Sequence, residues 1–228
     1  MIPIITVLLG LFLFLFGNVA IAKSFGSTLC SNDSQFNCYT VKKGETWDNL
    51  FTDPTQRDLV MRINRINIPL HSGRILAVPK NLSSATMMDY APLSKQIDPP
   101  GTKVIIVSIN HLAFGAYDAQ GTLEYWGPIS AGRHWCADIN RGCQTVGGKF
   151  SIYRKGGAKC VSSKYPIGRG GAPTPYCMFF HGGYALHGSY TVPGYNDSHG
   201  CVRLFVNDAQ WLNQEFTRDS KVTVYIKK

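Results

Sequence analysis

Apolar residues recur at helical spacing in one stretch, Leu59, Val60, Ile63 and Ile66, and alternate in strand fashion in another, Val222, Val224 and Ile226. Beyond the amino terminus the remaining apolar runs are short. Val104-Ile105-Ile106-Val107 reads as a buried strand. Residues 113–117 run as a strand into a turn at Asp118-Ala119-Gln120-Gly121, and residues 123–129 return as its hairpin partner. Further strands are expected to begin at 147–152 and at Tyr184-Ala185-Leu186, and Asn207 is placed to cap a short helix carrying Ala209, Trp211, Leu212 and Phe216. From residue 103 onward the pattern is therefore mainly β.

The preceding part is organised differently. A strand at Tyr39-Thr40-Val41 enters a turn at 42–46, residues 47–51 form a short helix, the 59–66 stretch a second, and residues 74–78 a closing strand stopped by Pro79. The order is strand, helix, helix, strand. Pro92, Pro99 and Pro100 mark a linker between them. This divides the chain into residues 23–81, a connection at 82–100, and a second domain at 101–228.

Residues 4–16 are apolar except for Thr6 and Gly10, and Ala20-Ile21-Ala22 follows as a small-x-small site. Residues 1–22 are read as a signal peptide cleaved after Ala22, since the run falls short of the roughly 20 residues of a spanning helix. No stable membrane span remains after cleavage. An uncleaved anchor is the other reading, because the amino terminus is the only positive charge ahead of the run.

Export changes the meaning of the seven cysteines. Nearest-neighbour pairing joins Cys30 to Cys38, Cys136 to Cys143 and Cys160 to Cys177, and leaves Cys201 alone; it is the most economical of the possible connectivities. A formal charge of +9 suits anionic surroundings such as an envelope polymer. Between Asp138 and Asp197 there is no acidic residue, while Arg141, Lys149, Arg154, Lys155, Lys159, Lys164 and Arg169 all fall there among glycines. This segment is expected to be a long mobile cationic loop, either merely solvated or steering carboxylates toward a site. No phosphate-binding loop, dinucleotide fingerprint or zinc ribbon occurs, and no nucleic-acid partner is expected.

The chemistry concentrates in Leu186-His187-Gly188-Ser189 and Ser198-His199-Gly200-Cys201-Val202-Arg203-Leu204. In an extended chain His199, Cys201 and Arg203 share one face and Val202 and Leu204 the other. An imidazole, a thiol and a guanidinium together are the ingredients of acyl transfer through an activated thiol. His199 is then the general base and acid, and the amides of Gly200 and Cys201 are candidate oxyanion donors. Against this, a lone cysteine on a strand is often a small buried hydrophobe and His187 an ordinary core histidine. A tetrahedral metal site from His181, His187, His199 and Cys201 is a third possibility, although the spacing resembles no common zinc pattern.

The 198–204 string with upstream His187-Gly188 resembles the signature of YkuD-type L,D-transpeptidases, the peptidoglycan-crosslinking cysteine enzymes. Thr145-Val146-Gly147-Gly148-Lys149-Phe150, Ser130-Ala131-Gly132-Arg133, Pro175-Tyr176-Cys177-Met178-Phe179-Phe180 and Pro193-Gly194-Tyr195 are similar to other segments of that family. Val146 stands at its usual proline and Cys177 where an aromatic is common. The resemblance covers residues 103–228 and implies a β-sandwich-like catalytic domain with Cys201, His199, Ser198 and Gly200 as catalytic residues and His187, Arg203 and Gly188 lining the substrate site. A backbone carbonyl near Ser198 or Gly200 is expected to orient the His199 ring. The implied reaction is attack of Cys201 on a peptidoglycan tetrapeptide stem, release of the terminal D-alanine and transfer of the acyl group to an amine, with no metal or organic cofactor needed. A hydrolase using the same site and a non-catalytic wall-binding protein are the alternatives. Residues 39–46 and 73–79, with Asn64 or Asn67, are similar to a LysM glycan-binding module. The implied location is the periplasm or bacterial cell envelope.

Overall fold

The computed structural model describes residues 24–164, 172–218 and 221–228. The expected signal segment 1–22 and Arg169 of the basic stretch lie outside these residues. Three helices precede the second strand. Helix α1 (Phe25–Asn32) was not legible in the sequence and is capped by Ser24, whose hydroxyl accepts from the Ser27 amide. Strand β1 (Phe36–Thr40) leads to α2 (Trp47–Leu50), opened by a reciprocal Thr46–Asn49 capping box. Helix α3 (Pro54–Asn64) starts with Pro54 in the first turn and the Asp53 carboxylate accepting from Thr55 and Gln56. Strand β2 (Ile75–Pro79) then pairs antiparallel with β1, giving the expected strand–helix–helix–strand order. Val60, Ile66, Leu76 and Trp47 fill the core of this unit, and the buried Asn64 amide bridges Val60 O and Ala77 O, both at 2.8 Å, tying α3 to β2.

The rest of the chain builds one nine-stranded sheet. Its strands are β3 (Val104–Ser108), β4 (Ala113–Tyr117), β5 (Leu123–Ser130), β6 (Gly148–Ser151), β7 (Arg154–Lys155), β8 (Met178–His181), β9 (Tyr184–Gly188), β10 (Val202–Leu204) and β11 (Thr223–Lys227). Their order is β6-β11-β3-β4-β5-β10-β9-β8-β7, antiparallel except for β11 with β3 and β10 with β9. The sheet curls, so Phe150 from one end packs on Phe180 near the other at 5.5 Å between ring centroids. Ile105, Val107, Phe114, Ile129, Leu186, Val202, Leu204 and Val224 point into the shared core.

Helix α4 (Val206–Trp211) and a π-helical turn (Leu212–Phe216) close that core with Ala209, Leu212 and Phe216. Asn207 lies inside α4, not at its cap: Phe205 takes the capping position because the chain is still extended there, and no side chain caps the helix. The basic segment is also not one loop. Lys149 lies on β6 and Arg154 and Lys155 form β7, because Phe150 and Ile152 alternate onto the core and draw the backbone into the sheet.

The opposite face of β3 to β5 explains why Val104-Ile105-Ile106-Val107 is apolar throughout. Val104, Ile106, Tyr117 and Trp126 are covered by Met87, Met88, Tyr90, Ala91 and Ile97 from the 82–100 connection, so β3 is buried on both sides. Trp126 Nε1 donates to Met87 O at 2.7 Å and Tyr117 Oη to Ser94 O at 2.8 Å. The two units are also joined directly. Arg62 of α3 makes a bidentate contact with the fully buried Asp208 of α4, at 2.6 and 3.0 Å, with Tyr125 Oη on the same carboxylate at 2.7 Å. Asn67 donates to Ser189 O and accepts from the Val192 amide, each at 2.8 Å.

Candidate active site

The expected strand through 199–203 starts only at Val202. Residues 198–201 form a tight turn, since Gly200 has φ 126°, a conformation that L side chains rarely adopt. Ser198 clamps this turn: its hydroxyl accepts from the Gly200 amide at 3.0 Å and donates to Cys201 O at 2.5 Å. The Gly200 amide is thus used inside the turn, which leaves the Cys201 amide as the candidate oxyanion donor. Thr145 Oγ1 donates to Gly200 O at 2.7 Å and accepts from the Gly132 amide at 2.9 Å. Ser198 also pairs with Gly132 alongside β5, with its amide on Ala131 O at 3.0 Å. The turn is therefore held by segments that lie some sixty residues earlier in the chain.

Beyond the turn, β10 runs parallel to β9, with Arg203 opposite His187 and Val202 opposite Leu186. This register puts Cys201, Arg203, Ala185 and His187 on one face, and all four line a cavity of about 830 Å³. Val202 and Leu204 point into the core as expected. Ser198, His199, Arg141, Arg154, Lys155 and Lys164 also border the cavity. Among the described residues its lining contains no carboxylate. Asp197, just outside, is held by Arg133 at 2.7 Å and by Arg203 at 3.4 Å.

Three disulfides form, Cys30–Cys38, Cys136–Cys143 and Cys160–Cys177, and Cys201 is the free thiol among the described residues. Burial pushes the Cys201 thiol above its ordinary range, while the Ala185 amide and the Arg203 charge act the other way. His187 is buried, and desolvation lowers its imidazole to about 4, partly opposed by a 2.9 Å contact between Nδ1 and Gly188 O. That contact assigns the proton to Nδ1 and leaves Nε2 as an acceptor. Gly188, expected in the substrate site, instead supports His187. Its carbonyl takes the ring, its amide donates to Pro175 O at 2.8 Å, and Pro175 and Val206 leave no room for a side chain there.

His199 has a carboxylate partner that its local sequence does not contain. Its Nε2 lies 2.7 Å from Asp138 Oδ2, across 61 residues, whereas the sequence pointed to a backbone carbonyl for the ring. Asp138 sits on the hairpin closed by Cys136–Cys143, and the contact with His199 holds its carboxyl below the usual range. The sequence carries one signal for this residue: Asp138 is the last acidic residue before the basic stretch, inside the shortest disulfide loop. The metal set weighed in the sequence is not the one that gathers. Among the described residues the close trio is Cys136, Asp138 and His199, within 4.8 Å, and the sulfur of Cys136 is occupied by its disulfide.

The chain is similar to several solved structures. A solved L,D-transpeptidase from Xylanimonas cellulosilytica is 24% identical, with 69% of this chain and 73% of that chain covered and a TM-score of 0.53. Others are an L,D-transpeptidase from Stackebrandtia nassauensis (23% identity, 59% of each chain, TM-score 0.46) and one from Mycobacterium tuberculosis (18%, 70% and 74%, TM-score 0.45). Among curated proteins none matches. The family model of the YkuD L,D-transpeptidase catalytic domain matches residues 102–224, which span all nine strands of the large sheet up to the start of β11 and include the cavity with its free thiol, and the chain therefore belongs to that family.

Proposed function

We propose that this L,D-transpeptidase acts on peptidoglycan by acyl transfer through Cys201, with a tetrapeptide stem as donor. The observation that carries this reading is the free thiol on one face with His187 and Arg203 inside a cavity rimmed by cations. Cys201 attacks the carbonyl of the third stem residue, the C–N bond to the terminal D-alanine breaks, and a thioester remains.

The geometry favours His187 over His199 as the group that moves the thiol proton. His187 is on the strand adjacent to Cys201, on the same face and two register positions away, with Nε2 as the acceptor nitrogen and the ring neutral near pH 7. It takes the thiol proton as sulfur attacks and gives it to the leaving amine. A raised thiol and a lowered imidazole mean that the resting pair is neutral, so proton transfer accompanies attack. Arg203, anchored on Thr191 O at 3.2 Å, positions the anionic donor, and Ser198 and Gly200 hold the turn that presents the sulfur.

The remaining expectations are part of the same reading. Residues 23–81 act as a LysM-like module holding glycan near the cavity, supported by their strand–helix–helix–strand order. The protein is exported to the cell envelope, supported by three disulfides. Among the described residues no helix is long and apolar enough to cross a membrane.

The test is mass spectrometry of the protein with a purified tetrapeptide muropeptide, alongside Cys201→Ala, His187→Ala and His199→Ala. An acyl adduct on Cys201 with D-alanine release supports the reading, and its loss in His187→Ala but not His199→Ala supports the base assignment. Tripeptide without crosslinked dimer makes the enzyme a hydrolase. No adduct on a folded protein overturns acyl transfer.

A further inference from the structure

The second half-reaction has an electrostatic difficulty. The acceptor is an amine, which arrives as an ammonium at neutral pH, yet the cavity is bordered by Arg141, Arg154, Lys155, Lys164 and Arg203. Such a rim favours an anionic donor and opposes a cationic acceptor. Asp197 offsets Arg133 and Arg203, with which it pairs, and leaves Arg141, Arg154, Lys155 and Lys164 on the rim. Asp138 is a second carboxylate that touches a residue of the cavity wall, His199. It is half exposed, and the His199 side chain it contacts retains 20% of its exposure. Asp138 is also fixed in place. The Cys136–Cys143 disulfide closes its hairpin, and Cys136 exchanges backbone hydrogen bonds with Arg141 at 2.9 and 3.3 Å.

We propose that the Asp138–His199 pair is the acceptor side of the active site, with His199 receiving a proton from the incoming ammonium and Asp138 positioning and charge-balancing the ring. This rests on the acyl-transfer reading above and deepens it. With Nε2–H donated to Asp138, the ring's other nitrogen, Nδ1, is the acceptor. One ammonium proton passes to Nδ1, while the Asp138 carboxylate holds the opposite ring nitrogen. The free amine attacks the thioester carbonyl, the C–S bond breaks, and the second nitrogen proton travels through His187 to the departing sulfur. The amide keeps one N–H, Cys201 is again a thiol, and His199 returns its proton to water. The two histidines then divide the work: His187 serves thiol and leaving group inside the cavity, His199 the acceptor at its open side.

Partition of the acyl-enzyme tests this, because water and amine compete for the same thioester. The full chain, wild type, Asp138→Asn and Asp138→Glu, is incubated with purified tetrapeptide muropeptide as donor and acceptor. D-alanine release reports acylation, and the ratio of crosslinked dimer to tripeptide reports acceptor use. Asp138→Asn is expected to lower that ratio about tenfold or more while D-alanine release changes by less than about twofold, and Asp138→Glu to recover most of the ratio. An unchanged ratio overturns the inference. So does a proportional fall of both readouts, which would make Asp138 a support for the thiol or the fold. Wild type that yields tripeptide alone also overturns it, since no acceptor is then used. Wild type that releases no D-alanine defeats the acyl-transfer reading itself, a result distinct from the others.

Discussion

Gly200 shows how much depends on a single residue. At φ 126° a Cβ would meet the Tyr184 ring at 2.7 Å, so Gly200→Ala combines backbone strain with a clash at the turn that presents the thiol. Strain of about 1–3 kcal/mol falls on the turn; acylation of Cys201 should drop at least about tenfold, and D-alanine release checks it. Cys201 itself offers a pH test. Because burial raises its thiol, alkylation by iodoacetamide at pH 7 should be slower than that of free cysteine, and the rate should rise with an inflection above the free-cysteine value near 8.5. An inflection below that value would mean a resting thiolate. His187 gives a stability test with the opposite sense. Its imidazole is lowered to about 4, so the unfolded chain binds its proton first, and the stabilisation from keeping the ring neutral is complete above pH 6.5 and lost as the pH falls toward 4. The loss is about 3 kcal/mol. Urea unfolding at pH 7 and pH 4 should show a smaller change for His187→Gln than for wild type.

At the level of elements, α3 and α4 meet through one buried ion pair. Arg62 and Asp208 are almost inaccessible, Tyr125 completes the carboxylate's partners, and Gly127 leaves room for it on β5. Replacing Asp208 by Asn leaves the buried Arg62 guanidinium with the half-exposed Asp58 as its remaining carboxylate, which costs about 3 kcal/mol. The midpoint of urea unfolding should fall accordingly, while an exposed pair such as Arg57–Asp48 should contribute under about 1 kcal/mol. The parallel β9–β10 pair is the element that assembles the site. It joins residues 186–188 to 202–204, and the intervening residues 189–201 carry Asn67's partners, Asp197 and the thiol turn. Sequence periodicity located both strands, yet it placed the start of β10 too early, because the alternation of His199, Cys201 and Arg203 continues through a turn set by Ser198 and Gly200.

For the whole molecule, the connection at 82–100 and the Arg62–Asp208 pair make one cooperative structure of the two units. Calorimetry should show a single unfolding transition, and Asp208→Asn should lower and broaden it. The sequence by itself determined the mainly β character of residues 103–228, the strand–helix–helix–strand order before it and the family to which the 198–204 string points, and it offered the pairing of the cysteines that the structure then shows. These rest on local periodicity, short loops and a contiguous motif, all of which are written along the chain. The tertiary structure alone decided that β3 is covered on both faces by the 82–100 segment, that Gly188 serves His187, and that Asp138 reaches His199. Each of those depends on residues tens of positions apart meeting in space. Sheet curl, strand order and a disulfide-closed hairpin set such meetings, and no local pattern of hydrophobic and polar residues encodes them.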